Sequence, residues 1–73
     1  MSRLQPTPVD VRDMLCAQAL AVVARAMEHV EGALEVLWNT EDVHRDLLAW
    51  ARDRGYRYDD VPAAATLRIE RDR

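Results

Sequence analysis

A chain of 73 residues has room for one domain only, because at this length folding buries about 60% of the surface the unfolded chain exposes. Its net charge of −3, with acids and bases interspersed, provides no basic stripe to neutralise phosphates and argues against direct nucleic-acid binding. A single cysteine closes no internal disulfide, and the two glycines, Gly32 and Gly55, are too far apart to form a phosphate-cradling loop for ATP or a dinucleotide.

The opening MSRLQPTPVD has no apolar run, and the longest uncharged stretch, Met14 to Ala24, is too short to cross a bilayer. The expectation is therefore a single domain over residues 1–73, with residues 1–8 a loose N-terminal segment. It would work in a reducing cytosol, away from membranes, and need neither metal nor organic cofactor. CxxC and Cys/His patterns of zinc-ligand spacing do not occur.

Val9-Asp10-Val11 is a short apolar alternation and predicts a first strand. From Ala17 to Val30 the period becomes helical, with Leu20, Val23, Met27 and Val30 on one face and Gln18, Arg25, Glu28 and His29 largely on the other. Gly32 reads as a helix stop, and Leu34, Val36 and Trp38 then alternate with Ala33, Glu35 and Leu37 as a second strand.

Asn39-Thr40 offers an N-cap, and Glu41 and Asp42 put negative charge in the first turn of a second helix, where it complements the macrodipole. Val43, Leu47, Trp50 and Ala51 form its apolar stripe, Glu41 and Arg45 are spaced for an exposed pair, and Gly55 stops it. Tyr56 to Val61 and Thr66 to Arg71 predict two strands of a hairpin joined across Pro62-Ala63-Ala64-Ala65, with Leu67 and Ile69 pointing inward. This hairpin leaves an open sheet edge to be protected without lysine, which the chain lacks.

The order β-α-β-α-β-β predicts an α/β (α+β) two-layer sandwich, a four-stranded mixed sheet with two helices on one face. Ligands and chemistry gather beyond the carboxyl ends of parallel strands. If strands 1 and 2 are adjacent, the loop before Cys16 therefore meets the Asn39-Thr40 loop, and two helix N-termini face one sulfur.

Cys16 is the candidate catalytic residue, because unpaired N–H groups and the positive end of the dipole at a helix start favour the reactive thiolate. The plainer alternative makes it a small apolar side chain packed under the first helix. Trp38 and Trp50 are assigned to packing, and His29 and His44 to exposed helix surfaces.

From Val9 to Arg71 the sequence resembles the TusA/SirA-like sulfur carriers, whose pattern is roughly L-D-x-x-G-L-x-C-P-x-P, a helix, a glycine, a strand and an acid-rich start to a second helix. Val9-Asp10 stands at the distance of the leading pair from Cys16, and Met14 takes the apolar place two residues before it. Gly32, Leu34-Glu35-Val36-Leu37, Arg45-Asp46-Leu47, Trp50-Ala51 and Gly55 follow the later elements. Three positions depart from the pattern: Asp13 replaces the glycine, and Ala17 and Ala19 replace the two prolines. Losing a compatible proline costs about 0.4 to 1 kcal/mol through the unfolded chain, which the fold can bear.

The resemblance implies a sulfurtransferase-like relay in which Cys16 carries a persulfide between sulfur donor and acceptor proteins. Gln18 and Arg45 are the candidate partner-binding residues. The alternative is a non-catalytic module of the same fold that has lost the transfer motif.

Overall fold

A computed structural model describes residues 6–71 of the chain. In chain order they form β1 (Thr7–Asp10), α1 (Cys16–His29), β2 (Ala33–Leu37), α2 (Glu41–Asp53), β3 (Arg57–Val61), a 3-10 turn at Pro62–Ala64 and β4 (Thr66–Glu70). The expected β-α-β-α-β-β order and four-stranded mixed sheet are both present. β1 includes Thr7 and Pro8, two residues expected in a loose segment; residues 1–5 of that segment lie outside the described residues.

Strand order across the sheet is β1-β2-β4-β3. β1 and β2 are parallel, while β4 runs antiparallel to both β2 and β3. The hairpin turns through Ala65, whose φ of 53° lies in the left-handed region, and returns β4 into the middle of the sheet. The exposed edges are therefore β1 and β3, and the sequence expectation of an open edge is corrected for β4.

Both edges are blunted. Val11 donates its N–H to the Leu37 carbonyl at 2.9 Å, so alternation directs the backbone of Pro8 away from β2, where proline presents no donor. On β3, Arg57 and Asp59 are exposed and charged.

Leu34 and Val36 of β2 lie opposite Ile69 and Leu67 of β4, and none of the four is exposed to solvent. Against them α1 buries Ala19, Val23 and Met27, and α2 buries Val43, Leu47 and Ala51, each set spaced by four residues. Fully burying a side chain such as Leu47 contributes about 1.5 to 3 kcal/mol. The α1 stripe is centred one residue earlier than its sequence suggests: Ala19 is buried, and Leu20 and Val30 are half-buried.

The helix ends show which local signals operate. Thr40 caps α2, its Oγ1 accepting from Val43 N–H at 3.4 Å. At the other end Gly55 takes a φ of 78°, and its N–H and that of Tyr56 bond back to Arg52 and Ala51. Gly32 does not play this part for α1, which ends at Val30 in an extended conformation. The Arg71 guanidinium instead donates to the Met27 carbonyl in the last turn of α1.

Trp38 is buried and Trp50 half-buried, Trp50 tilted against Tyr56 at a centroid distance of 5.4 Å. The expected Glu41 to Arg45 pair does not form. Arg45 bonds Asp42 at 3.1 Å, one turn earlier on the exposed face.

Candidate functional site

β1 and β2 are parallel neighbours, so the segments that follow them emerge at the same edge of the sheet. The two loops are joined there by side chains. Asp13 N–H donates to Asn39 Oδ1 at 2.9 Å, and Asn39 Nδ2 donates to Asp13 Oδ1 at 2.8 Å. Asp13 has a φ of 66°, a left-handed conformation that aspartate tolerates better than most residues with a side chain. A residue with a side chain here holds a backbone geometry that glycine adopts more readily.

Leu15 is the N-cap of α1 and Cys16 its first helical residue. A leucine has no oxygen to cap the helix, so the N–H groups of the first turn face outward without a side-chain acceptor. Gln18 turns back and accepts the Leu15 N–H on Oε1 at 3.3 Å. The sequence candidate Gln18, two residues from the cysteine, is thereby engaged with the start of its own helix.

Cys16 is a free thiol of intermediate exposure, packed partly against the core. Its surroundings oppose the help that a helix start gives the thiolate. Hydrogen bonding to the Asp46 carboxylate, loss of hydration and the negative charges of Asp46 and Asp42 push the thiol above its ordinary value of 9.0. The residue's own backbone N–H acts the other way and is outweighed.

The opposing carboxylates come from α2. Asp13, the acid nearest in sequence, is engaged by Asn39. Asp42 and Asp46 are four residues apart and share a helix face, a signal present in the sequence, but only the packing of α1 against α2 shows what that face meets. Arg45, the other partner-binding candidate, is exposed and joins the cluster through Asp42.

His44 stands roughly 200° round α2 from Asp42 and does not turn toward Cys16. Contrary to its predicted exposure it is largely covered, stacked on Trp38 at 4.0 Å and 10° between planes. Its Nε2 lies 2.9 Å from both carboxylate oxygens of Asp60, and Nδ1 is 3.8 Å from Glu41. This group ties α2 to β2 and β3 and has a structural role. His29 is exposed at the far end of α1.

Among the described residues no group of three or more histidines, cysteines, aspartates and glutamates is arranged to hold a metal ion. A depression lined by Arg57, Tyr58, Asp59, Arg68 and Glu70 lies on the β3–β4 ladder, away from Cys16, and its acids and bases alternate across the strands. No protein-family model, curated protein or solved structure matches the chain.

Proposed function

We propose that this protein is a small sulfur carrier, similar to the TusA/SirA-like proteins, which holds sulfane sulfur as a persulfide on Cys16 and relays it between partner proteins in a reducing cytosol. One observation carries the reading. The lone thiol is the first residue of α1, partly exposed at the carboxyl end of two parallel strands.

The transfer requires no net oxidant. The Cys16 thiolate attacks the outer sulfur of a donor persulfide, a new S–S bond forms, and the donor leaves as its thiolate. The Asp46 carboxylate, the leading influence on the acidity of the resting thiol, is the group we assign to take its proton as the attack begins. The loaded persulfide is a stronger acid than the thiol, and its anion gains from the helix N-terminus. An acceptor thiolate then attacks the outer sulfur and returns Cys16 to its resting state. A raised thiol value suits a carrier that must stay inert toward oxidants until a donor docks.

A second reading, a binding module without transfer chemistry, is favoured by the same Asp46 influence, which raises the thiol above its ordinary value and so works against the thiolate. Incubation with a sulfane-sulfur donor followed by intact-mass measurement separates the two. A carrier gains sulfur, and the Cys16→Ser variant does not. Absence of uptake in the unmodified protein overturns the relay and leaves the binding module.

A further inference from the structure

We propose that the mouth around Cys16 is a docking surface for a cationic protein partner, which seats Leu15 in an apolar socket and sets basic side chains against the surrounding carboxylates. The inference deepens the sulfur-relay reading by giving the partner its chemistry, and rests on it only for what is transferred.

Leu15 is the first observation. It is 77% exposed, more than Tyr58 or Val61, the other large hydrophobic residues exposed among those described. Its position makes that exposure costly twice over. An N-cap favours Ser, Thr, Asp or Asn, which would bind a first-turn N–H, and leucine forgoes that bond. Gln18 already returns to the N-cap N–H, so a serine at position 15 would complete a reciprocal S-x-x-Q cap. Local stability is sacrificed to hold an aliphatic side chain in water beside the only cysteine, and such departures from local rules concentrate where a surface is used.

Charge is the second observation, and it selects the occupant. Asp13 and Asn39 fix one side of the mouth, Glu41 and Asp42 lie in the adjoining first turn of α2, and Asp46 follows one turn later on the same helix face as Asp42. Glu41 and Asp42 are more than 80% exposed at their side chains. The neighbouring cations are already engaged, Arg45 by Asp42 and Arg12 by Asp10. The surplus of negative charge repels a second copy of this chain and small anionic sulfur donors, and attracts a partner whose thiol is flanked by arginine or lysine.

The test uses the whole chain and two short blocked peptides. Each carries a central cysteine as its 2-thiopyridyl disulfide, flanked by phenylalanine and by either arginine or glutamate. Cys16 attacks the peptide sulfur, the peptide S–S bond breaks, a Cys16–peptide disulfide forms, and the released pyridinethiolate is read by absorbance. At low salt the arginine peptide should react at least tenfold faster, and high salt should erase the ratio.

The rate ratio between peptides should fall in Asp42→Asn and Asp46→Asn, yet persist in Glu28→Gln and Asp53→Asn, which remove the same charge at the far ends of the helices. Using a ratio cancels the change in thiol acidity that Asp46→Asn brings to both reactions. Leu15→Ser should slow the arginine peptide severalfold while raising Tm, a pairing that a merely structural leucine would not give. Equal rates for the two peptides, an equal loss in the distant variants, unchanged rates in Leu15→Ser, or a dimer that shields Leu15 in sedimentation would each overturn the proposal. Discrimination without uptake of sulfane sulfur would keep the docking surface and remove the relay.

Discussion

Asp13 and Asn39, 26 positions apart in sequence, exchange two hydrogen bonds of 2.9 and 2.8 Å and so lock the β1–α1 turn to the start of α2. The pair does by side chains what a glycine turn does by backbone freedom alone. Asn39→Ala should cost about 1 kcal/mol in urea unfolding, the usual net value of a hydrogen bond that is not deeply buried. Asp13→Gly should cost less, because glycine accepts the positive φ and Asn39 Oδ1 still receives the backbone N–H. Finding the glycine variant the weaker of the two would refute this account of the turn.

Asp46 is the leading influence on the acidity of Cys16. Asp46→Asn removes the leading cause of the raised thiol value, so iodoacetamide alkylation at mildly alkaline pH, below the ordinary thiol value, should accelerate severalfold. Arg45→Ala should change it little. For stability the sign is fixed by proton binding: the folded thiol holds its proton to higher pH than the unfolded one. That contribution is fully present below 9.0 and is lost as pH rises through the folded value. Thermal melts should fall more steeply above pH 9 in the unmodified protein than in Cys16→Ser.

Arg12 holds Asp10 in a paired contact at 2.9 Å and lowers its carboxyl from 3.8 to about 2. A depressed carboxyl stabilises the fold above its unfolded value and loses that effect as pH falls from 3.8 through about 2. Both side chains are more than half exposed, so water and salt limit the benefit. The clear readout is an NMR titration of Asp10, whose midpoint should rise toward 3.8 in Arg12→Ala. An unchanged midpoint would remove Arg12 as the cause.

The two glycines should respond differently to alanine. Neither has a heavy atom within 4 Å of the added Cβ, but only Gly55 has a positive φ, of 78°. Gly55→Ala should cost about 1 kcal/mol and loosen the end of α2, whereas Gly32→Ala should be neutral or slightly stabilising. Denaturant midpoints decide it, and equal losses would contradict the assignment of Gly55 as the helix stop.

Element types and order were legible in the sequence because periodicity reports burial. Val43, Leu47 and Ala51 follow one helical face, and Leu67 and Ile69 one strand face, whatever their neighbours are. Thr40 and Gly55 were readable for the same reason: cap chemistry is local. Gly32 resembles a stop but takes no left-handed conformation, and the last turn of α1 is met instead by Arg71. No local pattern announces that contact.

At the site, sequence located Cys16 at the start of α1 and brought its loop to Asn39, because parallel pairing of β1 and β2 follows from chain order. Its electrostatic surroundings were hidden. The carboxylates that act on the sulfur belong to α2, and their effect depends on how two helices lie against each other. His44 was misassigned to the surface for a related reason: Asp60 and Trp38, which hold it, come from β3 and the end of β2.

Because β4 lies between β2 and β3, an interior strand of the sheet leaves the ribosome after both of its neighbours. A nascent chain that has emerged only as far as Ala65 offers β2 with a vacant flank and β3 without any partner, so cooperative closure must wait for Thr66 to Glu70. Until then the exposed backbone of β2 is the segment on which a chaperone would act, and fragments ending before Thr66 should remain unfolded, where longer ones snap into the finished sheet.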